Sequence, residues 1–220
     1  ILYIAYNMLS YVPFSPSFFL PALEVFVDKT INFYNQNAND YTAETVNLDM
    51  AVLYKYFVPY VKNRGFVVDL GCGSGRDGEY FSQRGFEVLL VDGARKILEQ
   101  SIARTGLPGQ HATFAEFTAP KPADGIWANA SLLHVPQKEL PRVIQHLAEQ
   151  LAKDGVIFAS FKDLDAPFTD PKTGRYYNAP TKQQLLDMLH KSGLSLEQYA
   201  HVPDTTRPNV MWHIIVGRKS

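Results

Sequence analysis

The chain has 220 residues, of which 46% are hydrophobic and 13% aromatic, a length and composition typical of one folded domain and too short for two. Lysine and arginine total 21 against 22 aspartate and glutamate, a formal net charge of -1 that disfavours a nucleic-acid substrate. The single cysteine, Cys72, cannot form an internal disulfide, which fits a reducing cytoplasmic location.

Residues 1–27 are strongly apolar, but Pro13, Pro16 and Pro21 interrupt them. A transmembrane helix needs an unbroken run of about 20 apolar residues, so we expect no stable membrane insertion. No basic stretch precedes the apolar residues, as a signal peptide would require. Three roles stay open for this extension: an ordered lid or dimer-contact arm, an upstream segment outside the functional domain, or a membrane-surface element. We expect residues 28–220 to form a single domain, monomeric or homodimeric.

The first elements lead up to a glycine-rich turn. Residues 28–45 are polar and rich in asparagine, and they predict a short helix followed by a loop. Residues 46–61 carry apolar side chains near helical spacing, which predicts an amphipathic helix. The stretch "GFVVDL" then predicts a short buried strand, and a helix at about 76–83 follows the turn.

The turn itself reads D-x-G-x-G-x-G from Asp69 to Gly75. Gly71, Gly73 and Gly75 allow the backbone to turn sharply and to approach a ligand with its amides free as donors. A dinucleotide fingerprint, G-x-G-x-x-G, would need a third glycine where this chain has Arg76. The turn therefore argues against NAD, and the sequence holds no Walker-type G-K-[ST] that would indicate a nucleoside triphosphate.

A second buried strand, "GFEVLLVD", ends at Asp92 and precedes a helix over "ARKILEQSIAR". An acid at this position can accept hydrogen bonds from both hydroxyls of a ribose, and it can also cap the following helix. The ribose role is favoured because strand, glycine turn, helix, strand and acid occur in the order that a nucleoside site requires.

The remaining elements continue the alternation. "HATFAEF" predicts a third strand, and "ADGIWANASLLHV" a fourth that runs into a loop near Asn129. A helix over 138–152 and the strand "GVIFASF" follow, and then a long polar loop at 162–180. Residues 181–191 predict a helix with Thr181 as N-cap and Gly193 as terminator. Two final strands, at about 194–202 and 210–218, have no helix between them and predict an antiparallel hairpin.

Together these elements predict an α/β fold: a doubly wound, seven-stranded, mostly parallel sheet with helices on both faces and an antiparallel C-terminal hairpin. In such sheets a ligand lies beyond the carboxyl ends of the strands, where the strand order reverses. The six histidines show no H-E-x-x-H or other metal-ligand spacing, so the sequence predicts no metal site. Cys72 has no evident base nearby, and we do not expect it to act as a nucleophile.

The glycine turn resembles the first motif of the class I, Rossmann-like methyltransferases that depend on S-adenosylmethionine (SAM), and the resemblance covers about residues 33–219. It is closest in appearance to small-molecule enzymes of the tellurite-resistance methyltransferase type, in the stretches "FYNQNANDY", "LDM", "DLGCGSGRDGEYFSQRGFEVLLVD", "ASLLHVPQKELPRVI", "GVIFASFK" and "GRYYN". The resemblance implies methyl transfer from SAM to a small-molecule acceptor, a thiol, an oxyanion or a carboxylate, leaving S-adenosylhomocysteine. A catalytically silent SAM-binding or regulatory protein is the alternative.

The resemblance also implies a set of cofactor-binding residues, under an N-terminal helical cap folded over the cofactor. The glycine amides would hold the carboxylate of the methionine end of SAM, and Asp69 would attract its ammonium directly or through water. The cap tyrosines would exclude water and contact the sulfonium by cation–π attraction. The adenine would be held by residues after the third strand, Ala115, Glu116 and Phe117. The full set of residues implied is Tyr34, Tyr41, Asp69, Gly71, Cys72, Gly73, Gly75, Arg76, Asp92, Gly93, Glu116, Phe117, Asn129 and Ala130.

The acceptor is expected over the ends of the fourth and fifth strands. His134 is a candidate general base or anion contact, and Arg175 and Tyr177 are the other candidate catalytic residues. With Lys162 and Arg207 they would form a polar cover suited to an anionic acceptor.

Overall fold

A computed structural model describes residues 21–204 and 206–220, with side chains from residue 29 onward. Most of the apolar extension at 1–27 lies outside the described residues, and its role stays a prediction. Within the part that is described, no helix combines the length and the apolar character that crossing a membrane would need.

The described chain alternates helices and strands. The helices are α1 (Pro21–Gln36), α2 (Ala38–Thr45), α3 (Ala51–Tyr54), α4 (Arg76–Gln83), α5 (Arg95–Thr105), α6 (Leu140–Gln150) and α7 (Lys182–Lys191), with 3-10 turns at Val58–Tyr60 and Leu132–His134. The strands are β1 (Phe66–Leu70), β2 (Glu87–Asp92), β3 (Gly109–His111), β4 (Ala123–Ala128), β5 (Leu151–Lys162), β6 (Phe168–Thr169), β7 (Tyr176–Tyr177), β8 (Leu194–Pro203) and β9 (Met211–Lys219).

Seven of these strands form one sheet in the order β3-β2-β1-β4-β5-β9-β8. The first five run parallel, whereas β9 is antiparallel to both β5 and β8. The strand order reverses between β1 and β4, so the carboxyl ends of β1, β2 and β4 meet at one edge of the sheet. This arrangement confirms the predicted fold class, and in sheets of this type ligands bind at that edge.

Helices cover both faces of the sheet, and this burial explains the apolar patterns of β1 and of the helices that pack on it. All five residues of β1 are buried, the continuous pattern typical of a parallel strand covered on both sides. On the opposite half of the sheet, α6 buries Leu140, Val143, Ile144 and Leu147 on one face. The predicted N-cap of α7 is confirmed, because Thr181 forms a capping box with Gln184.

Four local predictions were wrong in extent. The third strand ends at His111, and the next residues form a turn closed by the Phe117 amide on the Thr113 carbonyl. The helix predicted over 46–61 is broken into α3 and a 3-10 turn that contains Pro59, whose missing N–H cannot continue a helix. Residues 28–45 belong to two helices, and the loop at 162–180 contains the β6–β7 hairpin.

Buried Asp77, at the start of α4, joins several elements through its carboxylate. Oδ1 accepts hydrogen bonds from the Tyr54 hydroxyl (2.7 Å) and from Nε of Arg76 (2.7 Å), and Oδ2 accepts one from Nε1 of Trp127 (2.9 Å). Burial acts to raise the pKa of this carboxyl, but the Arg76 guanidinium and the hydrogen bonds hold it below its usual value. The charge is therefore buried together with the partners that compensate for it.

We predict that Asp77→Ala lowers the free energy of unfolding by about 3–5 kcal/mol, because it leaves the Arg76 charge without its buried partner. Tyr54→Phe removes one hydrogen bond to the same carboxylate and should cost about 1.5–3 kcal/mol. Exposed Asp165 supplies the control, since Asp165→Ala should change stability by less than about 0.5 kcal/mol. Urea denaturation followed by circular dichroism measures all three, and equal effects of Asp77→Ala and Asp165→Ala would contradict the prediction.

Candidate active site

A cavity opens at the carboxyl ends of β1, β2 and β4. Its volume is about 940 Å³ when the space that opens to solvent is included. Eight of the predicted residues line it: Tyr34, Tyr41, Gly71, Gly73, Asp92, Gly93, Ala130 and His134. The structure therefore brings together the cap, the glycine turn, the end of β2 and the segment after β4.

The glycine turn follows β1 in a conformation that other residues rarely adopt. Gly71 and Gly73 have φ values of 75° and 54°. A Cβ on Gly71 would lie 2.4 Å from Cβ of Ser131, and one on Gly73 would lie 3.2 Å from the Tyr41 ring. Glycine is thus required both by the backbone angle and by the close approach of the cavity walls.

Asp92 ends β2 and fixes the glycine turn against it. Its Oδ2 accepts a hydrogen bond from the Gly73 amide (3.1 Å) and its Oδ1 from the Ala94 amide (2.8 Å). Burial raises the pKa of Asp92 to about 6, and these two hydrogen bonds partly oppose the shift. Because a carboxylate has about four acceptor positions, the ionised group keeps two for a ligand in the cavity.

Asp69 does not occupy the position predicted for it. Its Oδ2 accepts a hydrogen bond from the Gly78 amide of α4 (2.9 Å), and the carboxyl is buried outside the set of residues that line the cavity. Burial, and next the charge of Asp77, raise its pKa well above the usual value. In this arrangement Asp69 holds the start of α4 in place and does not present a charge to the cavity.

Several other predicted residues lie one layer behind the cavity wall. The Cys72 thiol is buried beside Ser101, and burial raises its pKa, which disfavours a reactive thiolate. Arg76 pairs with Asp77 and also donates to the Thr45 carbonyl (2.9 Å). Asn129 accepts a hydrogen bond from the Ser160 hydroxyl (2.8 Å). Gly75, like these three, lies outside the lining and begins α4 with φ of 73°.

The residues that follow β3 shift relative to the prediction. Phe117 is fully buried in the core, and the Glu116 carboxylate accepts a hydrogen bond from the Thr113 hydroxyl (2.7 Å). Of the three residues implied here, only Ala115 lines the cavity, together with Thr113 and Phe114. Because β3 ends at His111, earlier than predicted, the residues that border the cavity lie closer to the strand in the sequence.

The segment after β4 brings a strained residue and a free hydroxyl to the wall. Ala130 has φ of 51°, and its amide donates to Oγ of Ser160 (2.7 Å). The neighbouring Ser131 hydroxyl is buried and has no hydrogen-bond partner among the described residues. A buried hydroxyl without a partner is costly, so this group is suited to receive a polar atom of a ligand.

Tyr34 and His134 form a hydrogen-bonded pair in the wall. The Tyr34 hydroxyl lies 2.9 Å from Nε2 of His134, whose Nδ1 lies 2.7 Å from the Tyr176 carbonyl. A carbonyl only accepts, so Nδ1 carries the proton and Nε2 accepts from Tyr34. Burial lowers the pKa of His134 to about 4 and raises that of Tyr34 to about 12, so both are neutral near pH 7.

The N-terminal helices supply the cap that was predicted. Tyr34 on α1 and Tyr41 on α2 meet edge to face, with ring centroids 5.0 Å apart. Burial raises the pKa of Tyr41 as well. The two rings cover the glycine turn with an apolar surface and keep their hydroxyls protonated.

Three cations surround this part of the wall; we call them the cation group (Lys162, Arg175 and Arg207). The Arg175 guanidinium lies 4.4 Å from the Phe33 ring centroid, and its Nη1 donates to the Tyr34 hydroxyl at 3.5 Å. Lys162 Nζ lies 4.5 Å from the Tyr177 ring centroid. Burial, followed by the charges of Arg207 and Arg175, lowers the pKa of Lys162. None of the three cations lines the cavity, nor does Tyr177, and Arg207 is paired with Asp204 at 2.8 Å. Lys162 and Arg175 place positive charge behind the wall, next to His134 and Tyr34.

Sequence reasoning missed part of the lining. Ile31 and Ile97 occupy positions that a sequence pattern assigns to helix packing, and both also face the cavity. Glu139 and Arg142, at the start of α6, contribute an ion pair at 3.3 Å. No motif marks Ile31 and Ile97, because a helix face that packs on a sheet and one that borders a ligand are both apolar in pattern. Glu139 and Arg142 have the sequence pattern of ordinary surface charges.

Comparison with known proteins agrees with this geometry. The sequence profile described as "Methyltransferase domain" matches residues 42–199. Trans-aconitate 2-methyltransferase of Delftia acidovorans is 37% identical over 114 residues, a match that covers 48% of this chain and 41% of that protein. The chain thus spans less than half the length of that curated relative.

Solved structures share the fold at low sequence identity. The Burkholderia thailandensis 1,6-didemethyltoxoflavin-N1-methyltransferase, solved with 1,6-didemethyltoxoflavin and S-adenosylhomocysteine, has a TM-score of 0.74 at 20% identity, with 91% of this chain and 92% of that chain covered. Magnesium protoporphyrin IX methyltransferase from Synechocystis, solved with SAM, has a TM-score of 0.58 at 19% identity, with 89% and 84% covered. The profile match extends over most of the described sheet, and the chain therefore belongs to the methyltransferase domain family.

Proposed function

We propose that this protein transfers a methyl group from SAM to a carboxylate of a small organic acid. A carboxylate oxygen attacks the methyl carbon, the carbon–sulfur bond breaks with its electrons going to sulfur, and a methyl ester and S-adenosylhomocysteine leave. No proton has to move, because a carboxylate is already ionised near pH 7. The protein then contributes mainly by holding oxygen, methyl and sulfur in line, which accounts for about 7–11 kcal/mol in model reactions.

The cofactor assignment rests on the wall around Asp92. Its two remaining acceptor positions suit the paired hydroxyls of a ribose, and the amides of the glycine turn suit the carboxylate of the methionine end. Thr113, Phe114 and Ala115 would border the adenine, and Tyr34 and Tyr41 the sulfonium. The solved neighbours named above carry SAM or its product, which supports the same choice.

The cation group beside the Tyr34–His134 pair is the observation that carries the acceptor assignment. Burial, followed by the charges of Arg207 and Arg175, lowers the pKa of Lys162, and a bound anion would stabilise its charged form. The curated relative is named for trans-aconitate, an organic acid, which agrees in chemical class.

The Tyr34–His134 pair is not suited to take a proton from an acceptor. His134 is neutral, but both its ring nitrogens are engaged, and Tyr34 and Tyr41 have raised pKa values. A thiol or an amine would need a general base with a free lone pair. We therefore assign His134 the role of positioning Tyr34. An oxyanion such as tellurite needs no base either, and it is the competing acceptor.

We predict that Asp92→Ala weakens the binding of S-adenosylhomocysteine by roughly 10- to 100-fold, since it removes two hydrogen bonds to a charged acceptor. Isothermal titration calorimetry measures the affinity. Asp165→Ala is the matched control, because it removes an exposed aspartate and should leave the affinity unchanged. An unchanged affinity in folded Asp92→Ala would overturn the cofactor site.

The pKa of Asp92 predicts how cofactor binding depends on pH. The ionised carboxylate accepts the ribose hydroxyls, so affinity should be constant above about pH 7 and fall as the pH drops through about 6, by up to about tenfold per unit. Asp92→Asn cannot titrate and should show weak, nearly flat binding over pH 5–8. The same slope in both proteins would assign the titration to another group.

For the acceptor, we predict that di- and tricarboxylic acids are methylated, and that Lys162→Met or Arg175→Met raises KM for them about tenfold or more with little change in kcat. Released S-adenosylhomocysteine and base-labile methyl esters, detected by mass spectrometry, report turnover. Lys153→Met is the control, because Lys153 is exposed at the amino-terminal end of β5 whereas Lys162 ends the same strand near the cavity.

Thiols, tellurite and selenite complete the acceptor panel. Turnover of tellurite or thiols without carboxylic acids would overturn the acceptor class and retain the methyltransferase. Binding of S-adenosylhomocysteine without turnover of any acceptor would favour the silent SAM-binding protein.

A further inference from the structure

A second group of polar side chains lies away from the lining of the cavity, where β5 ends beside the C-terminal hairpin. We call it the His–His–Asp cluster (Asp163, His201 and His213). His201 on β8 and His213 on β9 are directly opposed in the antiparallel pair. Asp163 follows β5, and its amide donates to the Met211 carbonyl (2.9 Å), which fixes it against the start of β9.

The three side chains point potential ligand atoms at one another. Asp163 Oδ2 lies 2.9 Å from Nε2 of His201, and Asp163 Oδ1 lies 3.3 Å from Nε2 of His213. One ligand atom from each residue falls within 4.8 Å of the others. Zinc bonds of about 2.0–2.1 Å in a tetrahedron place ligand atoms about 3.3 Å apart, so small side-chain shifts would complete the geometry.

Tyr199 holds one of the imidazoles in the orientation that metal binding requires. Its hydroxyl lies 2.9 Å from Nδ1 of His213, which leaves Nε2 facing Asp163. The His213 ring is buried and lies nearly parallel to that of His201, with centroids 5.0 Å apart. A histidine ligand fixed through its other ring nitrogen is the usual outer-shell arrangement of zinc sites.

We propose that Asp163, His201 and His213 form a binding site for a divalent transition metal, with Zn²⁺ as the best fit. Two imidazoles and one carboxylate are ligands that Zn²⁺ favours, and three protein ligands leave a fourth position for water or an external ligand. Asp163 and His201 are exposed, so the ion can enter from solvent. A bound ion would tie the end of β5 to the C-terminal hairpin, one residue beyond Lys162 of the cation group.

The cluster escaped sequence analysis for a simple reason. Metal motifs are recognised by ligands spaced a few residues apart on one helix or loop. Here the ligands come from β8, from β9 and from the residue after β5, and only the pairing of β8 with β9 and of β9 with β5 brings them together.

The test is titration of the full chain, free of any affinity tag, with ZnCl₂ at pH 7.5. We expect one Zn²⁺ per chain with a micromolar or tighter Kd, and an increase in Tm that depends on the zinc concentration. Co²⁺ in place of Zn²⁺ should give the visible d–d absorption of a four-coordinate site. Failure of both ions to bind at about 100 times that concentration would overturn the proposal.

Variants separate this site from adventitious binding. His201→Ala and Asp163→Asn alter exposed side chains, and each should weaken Zn²⁺ binding at least about 50-fold, whereas Tyr199→Phe should weaken it by about 10- to 100-fold. His190→Ala removes an exposed histidine of α7 and should leave binding unchanged. Zinc binding that persists in the folded double variant Asp163→Asn/His201→Ala would show that the ion binds elsewhere. Binding of S-adenosylhomocysteine in the same variants should be unaffected, which keeps this test independent of the proposed function.

Discussion

The site depends on two hydrogen bonds that the Asp92 carboxylate accepts from the backbone amides of Gly73 and Ala94. It ties the turn after β1 to the end of β2, so the glycine backbone and the acid reach the cavity as one rigid unit. The backbone angles of the turn exclude side chains there, and the space is taken by Tyr41 from the cap and Ser131 from the segment after β4. The hydrogen-bonded Asp92 carboxylate thus positions the glycine turn and places an acidic group in the cavity wall.

The two buried aspartates behind the cavity wall, Asp77 and Asp69, stabilise the fold in different ways. Asp77 is ionised and surrounded by Arg76, Tyr54 and Trp127, whereas burial raises the pKa of Asp69, which accepts only the Gly78 amide in the hydrogen bonds that the described residues show. The motif D-x-G-x-G-x-G therefore does not mark four ligand contacts. Its first residue supports the helix that follows, Gly71 and Gly73 line the cavity, and Gly75 is the N-cap of α4.

The hydrophobic periodicity of the sequence and the order of its predicted elements were enough to predict the sheet and the place of the candidate site. The buried run of β1, the acid that ends β2 and the apolar face of α6 are local patterns, and the structure confirms the fold that they indicated. Local pattern was not enough for the segment after β3. Whether Phe114 or Phe117 borders the cavity depends on where the strand ends, and that is decided by packing of the Phe117 ring in the core.

The part of the site that selects an acceptor is the hardest to predict from sequence, because it is assembled from segments that are far apart. Lys162 ends β5, Arg175 lies in the β6–β7 hairpin, and Arg207 lies between β8 and β9. Each is an ordinary surface charge when considered alone. In the folded chain Lys162 and Arg175 are partly buried beside Tyr177 and Tyr34. Burial, followed by the neighbouring guanidinium charges, lowers the pKa of Lys162, and an anionic partner would oppose that shift. Consecutive residues in the sequence predict the cofactor, whereas the acceptor is inferred from the electrostatic potential that the folded chain creates.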